Sequence, residues 1–169
     1  IYMSSAPSPE LVNIRDKEIV KVNNKSAGRK KRVFSLPVSN DGVCEILLDL
    51  DCRRADSVDI RIANNADESV TLRYNSSDHT LSFDRRHSGI VDFSQDFPAV
   101  TVAPTFENDK KISLRIFIDK SSMEVFGNNG KFVMTNLVFP TMPYSTLSIS
   151  ATGGSAKIEN LKIYSIKEL

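Results

Sequence analysis

The segment Asp119–Glu124 carries side chains that could do chemistry, with two carboxylates and two serine hydroxyls around one short reversal of the chain. Its flanking residues alternate between apolar and polar, which is typical of β-strands. If Asp119 and Ser122 flank a tight turn, their Cβ atoms lie within roughly 5–6 Å of each other. Glu124 then shares a strand face with Ser122. Because a retaining glycosidase places its two carboxyl groups about 5–5.5 Å apart, this spacing permits a catalytic pair.

Two other interpretations of this segment stay open. Its side chains could contact a bound sugar, or they could stabilise a hairpin. We favour the structural role, in which Asp119 accepts hydrogen bonds from N–H groups of the turn. In that role Glu124 pairs with an arginine of a neighbouring strand, for which Arg85 is the candidate.

A second polar cluster lies in the segment Leu81–Gly89. Adjacent residues of a strand point to opposite faces, so Asp84 and Arg85 share a pocket only where the strand ends. Gly89 permits a backbone conformation closed to other residues, which indicates such an end. The two clusters together define the candidate site, which either binds sugar or is structural. Its members are Arg73, Tyr74, Asp84, Arg85, Asp119, Ser122 and Glu124.

The composition argues against several classes of partner. The chain has 169 residues, of which 40% are hydrophobic and 25% charged, as in one ordinary globular domain. A formal net charge of +1 gives no bulk attraction to nucleic acid or to a membrane, and we expect neither partner. No apolar run reaches the roughly 18–20 residues of a membrane span. We interpret the basic run 28–32 as a solvated strand entrance and not as a binding patch.

The potential metal ligands and thiols are few. The two cysteines, Cys44 and Cys52, are too few for a disulfide scaffold, and with two histidines they form no metal-ligand spacing. We therefore expect no metal and no cofactor. The sequence begins at Ile1 and not at Met, so we interpret it as a fragment in which a missing signal peptide proves nothing.

Short alternating segments from about Arg32 onward indicate an all-β fold. They recur at roughly 8–12 residues, separated by turns rich in Asn, Asp and Ser, and no window shows a helical period over three turns. We predict about eleven strands in a two-sheet antiparallel β-sandwich of jelly-roll or concanavalin-like type, since the apolar face of each sheet must be buried. The assigned strands include Val33–Val38, Val43–Leu50, Ser57–Ala63, Ser69–Tyr74, Thr80–Asp84, Ile112–Asp119, Ser122–Phe126, Lys131–Val138, Thr146–Ala151 and Lys157–Ile166.

The segment Ser113–Phe126 resembles L-R-I-F-V-D-R-S-S-V-E-V-F, a segment in the C-terminal β-sandwich of glycoside hydrolase family 32. That family holds invertases, inulinases and levanases. Its segment is followed by a turn with Asn or Asp before Gly, as at Asn129–Gly130, and by a strand ending in F-P or Y-P, as at Phe139–Pro140. The chain differs at Lys120, where the family often has Arg. This is the most specific part of the resemblance.

Two further segments support the resemblance. Phe83–Gly89 is similar to the family's D-R-S-x-S-G, with Arg86 where Ser is common, and Tyr74 matches a Tyr placed just upstream. Pro9–Arg15 is similar to P-x-E-L-x-x-L-R, the linker that leaves the catalytic domain. The resemblance thus covers nearly the whole chain. It implies that residues 1–28 are a linker from a missing N-terminal domain and that residues 29–169 are an accessory β-sandwich.

The resemblance also implies that the catalytic residues lie elsewhere. The family's catalytic domain is an N-terminal β-propeller with motifs of the types W-M-N-D-P-N-G, R-D-P and E-C. This chain has no Trp, Asp16 is followed by Lys17 and not by Pro, and Cys44–Glu45 has the reversed order. The chain itself is then no enzyme, and its partner is the propeller of the same chain. The parent enzyme would hydrolyse β-fructofuranosyl bonds with retention, using a carboxylate nucleophile and a carboxylic acid/base.

An alternative function is fructan binding, as in a carbohydrate-binding module that recognises fructosyl ends. The related carbohydrate-binding module family 66 resembles this sandwich, but the absence of Trp and the presence of only four Tyr argue against a broad stacking platform. An unrelated lectin-like sandwich is a weaker option, against which the 114–140 match argues. The resemblance further implies a possible homodimer and a secreted, periplasmic or cell-surface location. Sucrose, inulin and levan stay open as substrates of the parent.

We predict that the isolated chain does not hydrolyse sucrose, inulin or levan, because it lacks all three catalytic motifs of the family. Release of reducing sugar from each substrate, measured against a buffer blank, checks this. Activity above the blank that disappears in Asp119→Ala or Glu124→Ala would restore the catalytic interpretation of the 119–124 segment.

Overall fold

The structure, a computed structural model, describes residues 4–106 and 109–168. Nearly all regular elements there are β-strands, because short alternating segments are closed by turn sequences. Two short 3-10 helices lie at Pro9–Ile14 and Asn40–Gly42. The strands are β1 (Arg15–Ala27), β2 (Arg32–Ser35), β3 (Cys44–Arg54), β4 (Ser57–Ala63), β5 (Ser69–Asn75), β6 (Thr80–His87), β7 (Val100–Pro104), β8 (Lys111–Ile118), β9 (Ser122–Gly127), β10 (Phe132–Leu137), β11 (Thr146–Thr152) and β12 (Ser155–Ile166).

The strands form two six-stranded sheets in which every pair is antiparallel. Sheet A has the order β1-β12-β3-β8-β9-β10, and sheet B has the order β2-β11-β4-β5-β6-β7. The predicted two-sheet antiparallel sandwich is confirmed, with twelve strands in the described residues where about eleven were expected. The assignment by alternation missed β1 and β7. Both are edge strands with mostly exposed side chains. Few of their residues are buried, so their sequences show little alternation of apolar and polar residues.

The inner faces of the two sheets pack into one hydrophobic core. On β8 the predicted inward residues Ile112, Leu114, Ile116 and Ile118 are at most 4% exposed, as alternation requires. Full burial of such a side chain contributes about 1.5–3 kcal/mol. The outer faces carry the polar residues, so they are where a functional site has to be sought.

The predicted linker is partly wrong. Residues 15–27 form β1, which pairs with β12 from Arg15↔Ile166 to Ala27↔Ala156. The resemblance of Pro9–Arg15 to the family's linker had extended the linker to residue 28, but Val20 and Val22 pack against the core. Residues 4–14 precede this strand, and residues 1–3 lie outside the described part of the chain.

Both predicted reversals around β9 are present. Asp119 N–H donates to Ser122 O at 2.9 Å, which closes the turn between β8 and β9. Between β9 and β10, Asn128 and Asn129 both have positive φ, and Gly130 N–H donates to Gly127 O at 3.0 Å. The turn is centred one residue earlier than the Asn-Gly pair had suggested. Asn tolerates this left-handed conformation better than most residues do.

The core also contains Tyr74 and the two cysteines. Tyr74, a candidate site residue, is fully buried, so it is not available to a ligand at the surface. Its hydroxyl has no hydrogen-bond partner among the described residues. Cys44 and Cys52 are free, buried thiols on β3, and burial raises the pKa of each to about 12. At about 3.4 Å per residue, eight residues along one strand are too far apart for a disulfide.

We predict that Tyr74→Phe raises the free energy of unfolding by about 1–2 kcal/mol, because it removes a buried hydroxyl that lacks a partner. The matched control is Tyr144→Phe, since the buried Tyr144 hydroxyl donates to Ser88 O at 2.6 Å. That change should lower the free energy by a similar amount. Urea denaturation of both variants checks this, and equal destabilisation by the two would show that the Tyr74 hydroxyl is bonded in solution.

Candidate functional site

The structure does not bring the seven candidate residues together. The three candidate residues of the 119–124 segment, Asp119, Ser122 and Glu124, lie on the outer side of sheet A. Arg73 and Asp84 lie together on the outer face of sheet B. Arg85 lies at one edge of the sandwich, and Tyr74 lies in the core. The candidate site is therefore two separate polar surfaces, one on each sheet.

On sheet A, Asp119, Ser122 and Glu124 line a pocket of about 480 Å³. Residues 4–14, which we call the strap, run along this side, and Leu11 of the strap lines the pocket. Phe117 lines it too and is the cross-strand partner of Glu124. This strap pocket thus combines apolar walls with a polar rim, the usual composition of a small-ligand site.

The predicted contacts of this segment are present only in part. Asp119 Oδ1 accepts one hydrogen bond from the turn, from Lys120 N–H at 2.8 Å. The predicted ion pair between Glu124 and Arg85 is wrong, because Glu124 is on β9 of sheet A and Arg85 is on β6 of sheet B. Among the residues described, none forms a hydrogen bond or ion pair with the Glu124 side chain. Its carboxylate is therefore an acceptor open to a ligand.

Arg85 joins the two sheets at the open edge, which we define as the edge formed by β7 and β10. Its Nε donates to Phe97 O at 2.9 Å, and one terminal nitrogen donates to Leu137 O at 3.3 Å. The guanidinium also lies 4.2 Å from the centroid of the Phe97 ring. Leu137 ends β10 of sheet A, whereas Arg85 is on β6 of sheet B. These contacts describe a structural role for Arg85.

The segment after Arg85 packs as an aromatic cluster. Gly89 has φ +136°, and a Cβ there would lie 2.1 Å from Phe139 O, so the predicted special conformation at this glycine is confirmed. Ile90 N–H donates to Phe139 O at 2.8 Å. The rings of Phe93, Phe97 and Phe139 have centroids 4.5–5.6 Å apart. The D-R-S-x-S-G-like segment therefore holds the loop before β7 against the end of β10.

The outer face of sheet B, which we call the polar face, carries charged and hydroxyl side chains around a trough of about 400 Å³. Arg73 and Asp59 are cross-strand partners joined by two hydrogen bonds of 2.6 and 2.8 Å. Arg86 and Asp84 form a similar double contact of 3.0 and 2.6 Å. Arg61 lines the same trough, and no described residue forms a hydrogen bond or an ion pair with its guanidinium. The polar face is thus a fixed array of donors and acceptors that is open to solvent.

A buried ion-pair network on sheet A was missed by sequence reasoning. Glu45 on β3 is 0% exposed and lies between two arginines. Arg15 donates to it through Nε at 2.6 Å and through a terminal nitrogen at 2.9 Å, and Arg115 donates through Nε at 2.5 Å. Each guanidinium also lies over an aromatic ring, Arg15 over Tyr164 and Arg115 over Phe117. The sequence did contain a signal for this network. Arg15 and Arg115 lie in two of the segments that resemble the family, and a partly buried guanidinium needs an anionic partner.

This network keeps Glu45 charged at neutral pH. Burial raises the pKa of the Glu45 carboxyl, but the hydrogen bonds from Arg15 and Arg115 outweigh burial and hold the pKa below its ordinary value. The pKa of Arg15 is raised in return, chiefly by its hydrogen bonds to Glu45. Glu45 therefore joins β1, β3 and β8 as an anion at neutral pH.

The strap is held at both ends. At its start, Ser5 N–H donates to Gly130 O at 2.9 Å, and a Cβ on Gly130 would lie 2.3 Å from Ser5 O. At its end, Lys167 N–H donates to Ile14 O at 2.9 Å, one residue before the arginine that binds Glu45. The strap therefore follows a defined path from the β9–β10 hairpin to the start of β1.

In residues 4–106 and 109–168, no group of three or more His, Cys, Asp or Glu residues is placed to hold a metal ion. No helix in the same residues is long and apolar enough to span a bilayer.

The fold is a β-sandwich domain of two six-stranded antiparallel sheets, and a known family shares its sequence pattern. The chain belongs to the family described as the C-terminal region of family 32 glycosyl hydrolases, whose profile matches residues 10–165. The resemblance found in the sequence is confirmed. Solved structures agree on the fold. The exo-inulinase of Aspergillus awamori superposes with a TM-score of 0.85 at 24% identity, over 99% of this chain and 33% of that one. Fructan 1-exohydrolase IIa from Cichorium intybus gives 0.80 at 15% identity, over 98% and 38%.

Curated relatives are much longer than this chain. A levanase from Bacillus sp. (strain L7) is 30% identical over 109 residues, which cover 64% of this chain and 12% of the levanase. The extracellular exo-inulinase of Aspergillus awamori is 32% identical over 111 residues, covering 65% of this chain and 21% of that enzyme. The aligned region is thus no more than about a fifth of either relative.

We predict that Glu45→Gln lowers the free energy of unfolding at pH 7 by about 3 kcal/mol, because it removes the anion between two partly buried arginines. A depressed pKa in the folded state gives stability that is present above the ordinary pKa and lost as pH falls through the folded value. The difference between wild type and variant should therefore shrink below about pH 4.

Denaturant titrations at pH 7 and at lower pH measure this difference. The matched control is Glu159→Gln, which removes a half-exposed ion pair with Lys111 and should change stability by less than about 1 kcal/mol. A Glu45→Gln effect no larger than that of the control would contradict the role assigned to the network.

Proposed function

We propose that this chain is the C-terminal accessory domain of a fructan- or sucrose-hydrolysing β-fructofuranosidase, and that it stabilises a catalytic domain that precedes it. Family membership and the names of the relatives, levanase and exo-inulinase, support the parent activity. In this proposal the carboxylates of retaining hydrolysis belong to the preceding domain, a β-propeller by resemblance. The chain itself contributes a surface and not a catalytic group.

The observation that carries the proposal is the path of the strap. Because Ser5 is bound to Gly130, the strap begins beside the β9–β10 hairpin. That hairpin leads directly into β10, the edge strand of sheet A. A preceding domain would therefore start next to the open edge.

The open edge has the apolar character of a docking surface. Large apolar side chains along it and in the loop before β7 are 38–62% exposed. They are Ile90, Phe93, Val102, Val133 and Leu137. Single exposed apolar residues are ordinary, but a group of them marks an interaction site. Natural edge strands are more often protected by charges.

We assign the preceding catalytic domain as the occupant of this edge. The strap begins beside Gly130, which lies a few residues before Val133 in the sequence. The curated relatives have most of their length outside the aligned region. Burial of the exposed apolar groups by that domain would stabilise both partners at about 25 cal/mol per Å² of apolar area. The longer protein is proposed to lie outside the cytoplasm, as the relative named extracellular exo-inulinase does.

A second candidate function is fructan binding by this domain. It is favoured by polar groups that the fold does not use, the carboxylate of Glu124 in the strap pocket and the guanidinium of Arg61 on the polar face. Unused charged groups offer the hydrogen bonds that sugar hydroxyls accept and donate.

We predict that Leu137→Glu lowers the stability of the longer protein, in which a catalytic domain precedes this chain, by about 1–3 kcal/mol. The reason is that the change places an unpaired charge in the docking surface. In the 169-residue chain alone the same change should stay within about 0.5 kcal/mol, because the side chain is 50% exposed. Thermal unfolding and residual inulin hydrolysis after heating measure the effect.

The matched control is Val33→Glu, because Val33 is 54% exposed on β2, which is also an edge strand. It should leave both proteins unchanged. Equal effects of Leu137→Glu in the short and long proteins, or no effect in either, would remove the open edge as the docking surface.

A further inference from the structure

We infer that the polar face of sheet B is a binding site for an oligosaccharide chain lying across strands β11, β4, β5 and β6. This inference rests on the second proposed function, carbohydrate binding, and names the site and the class of ligand.

Two rows of side chains run across these four strands, because register places cross-strand partners side by side. The first row reads Ser148, Arg61, Thr71 and Asp84. The second row reads Ser150, Asp59, Arg73 and Ser82. Adjacent strands lie about 4.8 Å apart, so each row spans about 14 Å. An extended ligand can therefore meet a polar side chain at every strand.

The charges of the polar face are arranged in advance of binding. Asp59 orients the guanidinium of Arg73, and Asp84 orients that of Arg86, each through two hydrogen bonds. The arginines of these pairs are more than half exposed, so solvent screening leaves their pairs little effect on stability. Stability therefore does not explain why these ion pairs are grouped on one face of the sheet. Held in place, they present donors and acceptors at fixed positions, which lowers the ordering cost of a polar ligand.

The composition of the polar face decides the class of ligand. Of the described residues that line its trough, Val100 is the single apolar one, so a protein partner would find no apolar centre to bury. The same described lining has four basic side chains interspersed with two carboxylates and holds no aromatic ring, which makes it a poor surface for single-stranded nucleic acid. A hydroxylated chain suits it, because each hydroxyl donates to a carboxylate and accepts from a guanidinium.

The strap pocket is the competing site, and it is less suited to a chain of sugars. Its Lys167 ammonium is already bound to Asn13 O, and its Lys120 ammonium is paired with Asp41. What stays open there is chiefly acceptor oxygen, on Asp119, Ser122 and Glu124. The polar face instead offers donors and acceptors side by side.

The test is affinity electrophoresis of the 169-residue chain in gels containing inulin, levan or xylan, with heparin as a polyanion. Arg61→Gln and Arg73→Gln should each weaken retardation by a polysaccharide at least about tenfold, the effect of losing one charge-assisted hydrogen bond. The matched control is Arg53→Gln, which breaks the similarly exposed Arg53–Asp51 pair on sheet A and should bind as wild type does. Thermal melts confirm that each variant is folded.

Each other outcome overturns a different statement. Binding that survives Arg61→Gln and Arg73→Gln but is lost in Glu124→Gln would keep carbohydrate binding and move the site to the strap pocket. Retardation by heparin alone, abolished by salt, would make the polar face a cationic patch and overturn the inference. Retardation by none of the gels would overturn carbohydrate binding itself, and the accessory role tested at Leu137 would stand apart from it.

Discussion

The outer side of sheet A depends on the carboxylate of Glu45, which is held between Arg15 and Arg115. These three residues come from β1, β3 and β8, which are far apart in sequence. A buried charge without its partners costs several kcal/mol, so the strands have to meet in one register. Since Arg15 follows directly after the strap, the same contact fixes where the strap ends.

The ion pairs on the two outer faces of the sandwich differ in their exposure to solvent. Sheet A carries the strap and places an ion pair out of solvent, with aromatic rings against both guanidiniums. Sheet B leaves its ion pairs in water, where they contribute little to folding. The ion pairs of sheet A therefore contribute more to the free energy of folding than those of sheet B do. The fold requires little from the charged groups on the polar face of sheet B, so these groups are available for binding.

The open edge supports the accessory role by a different physical argument. Arg85 holds the loop before β7 to the last residue of β10, so the edge is ordered although it is apolar and exposed. An ordered apolar surface loses little entropy when a second domain covers it. In the proposed longer protein the strap would join the catalytic domain to this domain beside the same edge, so docking would be intramolecular and would need little intrinsic affinity.

Local features of the sequence determined most of the strands, the two turns around β9 and the family. Alternation at Ile112–Ile118 placed four residues in the core, and the positive φ of Asn129 and Gly89 followed from residue type. These features are local because side-chain period and turn chemistry act over a few residues. The contacts of Glu124, Arg85 and Glu45 were decided only by the tertiary structure. Alternation tells which side of a strand a residue faces but not which strand lies beside it. The order of strands in the two sheets decides that, and it places Glu124 and Arg85 in different sheets and Glu45 between two arginines.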